Sequence, residues 1–364
     1  MIKIIRTEKS WIEGIAIQQL EQIHSLPDIK TVIGFPDLHA GPVGIAASST
    51  DVIYPHLIGN DIGCGMGFWQ TDLVVRKASM TKVVKRLSEF DRYDDNVPDD
   101  ISLSLDNEIR YADALGTIGG GNHFAELQKV EKIYEEDLFV KYGLDKNAFT
   151  VLVHSGSRGL GQLILNEHMI NCGSGGISAH SEAGVTYLKE HDYAVKWAQR
   201  NRELIFRKMS SRLQCEGTSV IDTVHNSITQ ESFSTGKNWV HRKGAASSKK
   251  SITIIAGSRG SLSYLVQAKG DMKSVNFSLA HGAGRKLKRN EMKARLRNRF
   301  NSEALKRTVY GGRVICDDRE LLYQEAPQAY KNIDQVIYDL KSVGLIEVIA
   351  SYQPVITFKR GETR

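Results

Sequence analysis

The side chains best suited to chemistry in this chain recur beside glycines. They are Asp37 and His39 in FPDLHAG, Asp61 and Cys64 in DIGCG, and Asn122, His123 and Glu126 in GGGNHFAE. Farther along come His154 in VHSGSRG, His225 in VHN and His281 in AHGAGR. Imidazole, thiolate and carboxylate together make a donor set for divalent metals, and three His, one Asp and one Cys could hold two ions. A thiolate can bridge such ions, which gives Cys64 a reason to sit on an exposed loop; the alternative is a small side chain in a tight turn. Glycine alongside lets backbone approach whatever is held. His24, His168, His180, His191 and His241 lack this setting and read as structural or surface residues.

The common routes to nucleotide chemistry are missing. There is no GxxxxGK[ST] phosphate loop, no GxGxxG opening a βαβ unit, and no KxDG lysine motif. A covalent nucleotide intermediate here would need another nucleophile, and a histidine in a glycine-rich, cation-flanked loop is a candidate.

The elements that must position these residues are short strands and a few helices. The chain to about Thr71 reads as strand-rich, with apolar runs joined by Gly and Pro turns. Residues 77–94 have helical spacing, DDNVPDD is an acidic loop, and FTVLVHSGSRGLG is a buried strand running into a glycine loop. A long helix is expected from about Glu182 through Arg212, and another at NIDQVIYDLKSVG. Further strands are expected at SITIIAG, SLSYLVQA and GLIEVIASYQPVITFK. Glycine loops at strand ends recur along the chain without a repeat or linker. The expectation is therefore one α/β domain over residues 1–364 whose site collects residues from the whole sequence.

Composition narrows the class. The 364 residues are 41% hydrophobic and 25% charged, as in ordinary globular enzymes. No apolar run is long enough to span a bilayer, and the first residues lack the apolar core of a signal peptide. Cys64, Cys172, Cys215 and Cys316 form no CxxC pair, which fits a reducing cytoplasm. The net charge is +6, and in RKLKRNEMKARLRNR, from Arg285, Glu291 is the one acid. Such a run is either a solvated helix face or a surface for a phosphate-rich partner.

The motifs DIGCGMG, LGTIGGGNHFAE, HSGSRGLG, HN, HRKGA, GSRGSLSYLV, HGAGR and ITFKRG, in this order, resemble the RtcB-type RNA ligases. The resemblance runs from about Phe35 to Lys359. It implies an α/β (α+β) fold, a single large domain with central β-sheets flanked by helices and a site built from strand-end glycine loops. It implies ligation of RNA 2′,3′-cyclic phosphate or 3′-phosphate ends to 5′-hydroxyl ends, using GTP and two Mn²⁺ ions. Asp61, Cys64, His123, His154 and His225 would hold the metals, with Cys64 as the bridge, and His281 would become guanylylated.

By the same resemblance Asn122 would meet phosphate, as would the backbone of Gly282, Ala283 and Gly284. Ser258 and Ser263 would join the guanylate pocket, Glu126 and Lys359 would take the guanine edge, and Tyr330 would lie against the base. Arg110, Arg158, Lys243, Arg285 and Arg289 would face RNA. A monomer or weak dimer is expected, without membrane contact, and some members are encoded beside a release-factor-like protein. The chain departs from the pattern by shortened segments between His154 and His225 and before Ser258. It also departs at GPVGIAASS, at Ala280, where serine is frequent, and at Arg259, where methionine is usual. The rival readings are a metal-dependent RNA cyclic phosphodiesterase without guanylylation and a non-catalytic RNA-binding protein.

Overall fold

The computed structural model describes residues 1–88 and 110–361. Among these, the largest sheet has eight strands. Its order is Ile252–Ile255, Ser263–Ala268, Ile346–Phe358, Phe124–Ile133, Ala148–Ser155, Gly65–Val74 and Gly217–Val224, with Arg313–Ile315 alongside Ile346–Phe358. Its strands come from residues 65 to 358, so the mixed α/β architecture expected from the sequence is present, with residues from most of the chain meeting in one sheet.

Strand Ala148–Ser155 (AFTVLVHS) is buried throughout, and its β-branched and aromatic side chains pack on both faces. Strand Ile346–Phe358 carries Pro354 in its second half, beside a register shift between Pro354 and Ile356. The shift falls where proline cannot donate to the ladder.

A second, five-stranded sheet runs Ile2–Ile4, Ile29–His39, Val43–Ser49, Gly236–Lys243 and Asn226–Phe233. Helix Glu182–Leu213 packs against the larger sheet. The Ser181 hydroxyl accepts from the Gly184 N–H to open it, and Gln214 in a left-handed conformation closes it. Its Ile205, Phe206 and Met209 bury against Trp69, Val151 and Val153, with Phe206 stacked 4.7 Å from Trp69. Tyr187, Ala194 and Trp197 bury with Ile58, Ile62 and Leu160 in a second cluster. One long helix thereby backs both the sheet and the 58–62 loop.

The helix expected over 77–94 is shorter at its start, with Met80–Leu87 following Ser79; its remainder and DDNVPDD lie outside the described residues. Helix Gly159–Cys172, strand Phe124–Ile133 and the strands between Gly217 and Lys243 were not marked by the sequence pattern. Among the described residues, no helix is long and apolar enough to cross a membrane.

Candidate functional site

Strand register assembles the donors. Gly65 pairs with Ser155 on one side and with Val224 on the other, while Phe124 pairs with His154. Cys64, His123, His154 and His225 therefore reach the same end of neighbouring strands, where Cys64 is buried rather than on an exposed loop. Cys64 Sγ lies 3.4 Å from His123 Nε2 and 3.1 Å from His154 Nε2, and His154 Nε2 lies 3.3 Å from His225 Nε2. Asp61 joins through its Oδ2, 2.9 Å from His123 Nε2. Backbone holds the loop in place, since the N–H of His225 donates to the Cys64 carbonyl at 2.8 Å. Gly156 admits Asp61, because a Cβ there would stand 2.0 Å from Asp61 Oδ1.

This donor set fits a divalent cation. The Nδ1 of His154 sits 3.3 Å from the Asn122 carbonyl, which can only accept, so the ring proton lies there and Nε2 carries a lone pair. Burial holds His154 and His225 well below the usual histidine range, keeping both neutral, as ligands must be. Burial, with Asp61 adding to it, pushes the Cys64 thiol well above its usual range. Burial opposes ionisation of Asp61 too, but His123 holds it below the ordinary carboxylate value. Lone pairs converging with a thiol and a carboxylate are satisfied by a metal, which would also deprotonate the thiol. Cys64, His123 and His154 bring one donor each within 4.8 Å of one another.

His281 stands beside this cluster, its ring 4.7 Å from that of His225. The short pairing of Ala245–Ser247 with Ser278–Ala280 delivers it there. Asp37, from the second sheet, is buried, and its Oδ2 accepts from the His281 backbone N–H at 3.1 Å and lies 2.7 Å from His281 Nδ1. That contact fixes the ring and leaves Nε2 as the nitrogen with a lone pair. Gly284 has φ +69°, and a Cβ there would fall 2.2 Å from the Asp37 carbonyl oxygen. The close approach of the HGAGR loop to Asp37 thus needs glycine.

A cleft of about 660 Å³ opens over the cluster and extends past His281. Its far end is bordered by Glu126, Ser258, Arg259, Tyr330 and Lys359. Glu126 accepts from Gln128 Nε2 at 2.8 Å and Thr357 Oγ1 at 2.6 Å, and burial raises its carboxyl to about 7. Lys359 Nζ donates to the His123 carbonyl at 2.9 Å, and burial lowers it to about 8. Asn122, Gly282, Ala283 and Gly284 also line the cleft. Ser263 does not; it is buried, with its hydroxyl accepting from the Gly257 N–H at 3.3 Å, below the Ser258 loop.

Comparison with known proteins places this architecture. A family model described as tRNA-splicing ligase RtcB matches residues 19–109 and 78–360. The chain belongs to the RtcB family. It is 42% identical to the RNA-splicing ligase RtcB2 of Escherichia coli over 364 residues, covering 98% of this chain and 94% of that protein. It is 27% identical to the tRNA-splicing ligase RtcB of Thermococcus kodakarensis, with 93% of this chain and 90% of that one covered.

The basic residues of this RtcB-family chain divide by surroundings. Arg158, Lys243, Arg285 and Arg289 border the cleft, whereas Arg110 does not and pairs with Glu190 and Glu167. Arg158 has φ +58°, a strained value for a side chain with a Cβ, at the start of helix Gly159–Cys172. Burial lowers the Lys243 pKa. Arg285 is committed internally: it donates to Glu325 and the Gln324 carbonyl, both at 2.9 Å, and lies over the Tyr330 ring. Arg289 donates to Glu325 at 3.2 Å, with about half its side chain exposed.

Two contributors, Glu325 and Arg202, escaped the sequence reading, and a third, Asp37, was named there without a role. Asp37 was marked by its glycine motif, but nothing local ties it to His281. Glu325, which gathers Arg285, Arg289 and the Tyr330 hydroxyl, carries no motif. Arg202 lies inside the long helix, fully buried, and donates to the carbonyls of Gly63 at 2.9 Å and Ser155 at 2.7 Å while pairing with Asp222. It braces the backbone beside Cys64 and His154.

Proposed function

We propose that this protein is an RNA ligase that joins a 2′,3′-cyclic phosphate or 3′-phosphate end to a 5′-hydroxyl end, using GTP and two Mn²⁺ ions. The names of its relatives support ligation of RNA, and the placement of His281 carries the rest. Its Nδ1 is held by Asp37 and its ring lies against the donor cluster. Asp61, Cys64, His123, His154 and His225 would hold the manganese, which when bound neutralises phosphate oxygens and templates the substrate.

His281 Nε2 attacks the α-phosphorus of GTP, forming a P–N bond as pyrophosphate leaves. Asp37 keeps the proton on Nδ1 and stabilises the positive ring that results. An oxygen of the RNA 3′-phosphate then takes the guanylyl group, restoring the imidazole. The 5′-hydroxyl attacks that 3′-phosphorus, loses its proton and releases GMP. A cyclic phosphate is first opened by water. Glu126 and Lys359 take the guanine edge, Tyr330 the base, and Asn122, Ser258 and the 282–284 backbone the phosphates. Ser263 supports the Ser258 loop. Arg158, Lys243 and Arg289 meet RNA at the mouth, Arg285 orients Tyr330, and Arg110 reaches RNA outside the cleft. This reading puts the enzyme in the cytoplasm as a monomer or weak dimer, with a release-factor-like protein as a candidate partner.

Incubation with GTP labelled at the α-phosphate and Mn²⁺ should leave acid-labile label on the wild type and none on His281→Ala. An unlabelled wild type that still opens cyclic phosphates would replace this reading by a phosphodiesterase.

A further inference from the structure

The acid that holds His281 is not held by the ladder of its own sheet. Asp37 lies near the end of strand Ile29–His39, whose pairing with Val43–Ser49 passes from Gly34 opposite Ile45 to His39 opposite Val43. Residues 35–38 face only Gly44 across that gap, so they bulge out of the pairing. Asp37 Oδ2 makes both its contacts with His281, at the backbone N–H and at Nδ1. Its Oδ1 is shielded from water and has no hydrogen-bond partner among the described residues. The carboxylate therefore has no polar anchor besides the group it orients, and its backbone must be fixed from elsewhere.

Lys331 supplies that fixing. Its Nζ donates to the carbonyls of Pro36 at 3.1 Å and Leu38 at 2.5 Å, the residues on either side of Asp37. Pro36 and Leu38 are buried, and buried carbonyls outside a ladder need a donor. The backbone N–H of Lys331 donates to the Gly284 carbonyl at 3.0 Å, three residues past His281. One residue thus ties the segment that carries the acid to the loop that carries the imidazole. His39 Nδ1 lies 2.9 Å from the Asp37 carbonyl, but that contact stays within the bulge and ties it to nothing else. Burial lowers the Lys331 pKa to about 8, with Asp37 opposing the shift, so the ammonium is charged at neutral pH.

We propose that Lys331 is a positioning residue for the nucleophile: its ammonium clamps the backbone on either side of Asp37 and so keeps the carboxylate aligned with His281 Nδ1. The inference rests on reading His281 as the residue that becomes guanylylated. A double-mutant cycle on the guanylylation rate tests it, read as uptake of α-labelled GTP at saturating nucleotide and Mn²⁺. Lys331→Met should slow labelling about 10- to 100-fold, the cost of displacing a reacting group by about an ångström. Calorimetric GTP affinity and bound manganese should stay at the parent's values. In an Asp37→Asn background, where the aligned contact is already lost, the same substitution should cost less than about threefold.

An equal loss in both backgrounds, or GTP and manganese binding that weaken along with the rate, overturns the proposal and leaves Lys331 a structural tie. If Lys331→Met does not fold, Lys331→Gln, a neutral donor of shorter reach, runs the same cycle and is decided by the same comparison. A parent that takes up no label removes the reading of His281 beneath the proposal, whereas a labelled parent matched in rate by Lys331→Met sinks the role of Lys331 alone.

Discussion

The two ends of the cleft solve the burial of polar groups in opposite ways. At the histidine end, Cys64, His123, His154 and His225 turn donor atoms toward one another, with burial keeping His154 and His225 neutral. The converging donors of that end could be satisfied by a cation. At the far end the charges already answer one another, as Glu325 gathers two arginines and Tyr330. Glu126 and Lys359 lie buried nearby, their pKa values drawn to about 7 and about 8. One end leaves donor atoms that a cation could satisfy; the other already holds a fixed pattern of donors and acceptors.

The largest effect should follow from emptying the histidine end. Cys64→Ser should bring bound manganese, measured by elemental analysis, below two ions and guanylylation of His281 below detection, with the melting curve still cooperative. A Cys64→Ser protein that holds two ions and labels normally would make this end as self-sufficient as the other. Asp37→Asn comes next. An amide can donate to Nδ1 and shift the proton to Nε2, so the guanylylation rate should fall about 10²- to 10⁴-fold, by analogy with catalytic triads. The apparent affinity for GTP should stay near that of wild type, which separates the nucleophile's orientation from the base end.

Arg202→Met tests whether the histidine end depends on the brace behind it. Leaving Asp222 unpaired should lower stability by about 3 kcal/mol in denaturant unfolding. Losing the ties to Gly63 and Ser155 should weaken manganese binding about 10- to 100-fold. Unchanged metal affinity would confine Arg202 to stability.

The smallest effect is expected at Glu126. With its carboxyl raised to about 7, in the proposed guanine site it would accept from the guanine N–H groups above that pH and lose this ability as pH falls through 7. Lys359, lowered to about 8, loses its charge above that value. GTP affinity should peak between about pH 7 and 8 and drop about tenfold over one unit on the acid side. Glu126→Gln should be weaker at pH 8 and show no acid limb. An acid limb that survives in Glu126→Gln would assign it to the histidine end instead.

The parts of this site that could be read from the sequence were those with a local signature. His281 stands in HGAGR, and Asp61 and Cys64 stand in DIGCG, where glycine composition itself announces close backbone approach. Long amphipathic elements such as Glu182–Leu213 were legible for a similar reason, since their periodicity is repeated many times. Helix Gly159–Cys172 was not, because its opening GLG has poor helix propensity and its apolar residues favour no one face. Arg202 looked like one more charged residue on a long helix, and Glu325 like one more loop acid.

By itself the sequence determined which chemistry was available: the donors, the proposed nucleophile and the glycines beside them are properties of residues and their neighbours. Only the tertiary structure decided which of them meet. The pairings Gly65 with Ser155 and Val224, and Phe124 with His154, bring residues from distant segments to one sheet end. A slip of one residue in any of these registers would turn a ligand to the opposite face. The same holds for Asp37 and His281, 244 residues apart. Side-chain chemistry is local, but proximity is fixed by register and packing summed over the whole chain.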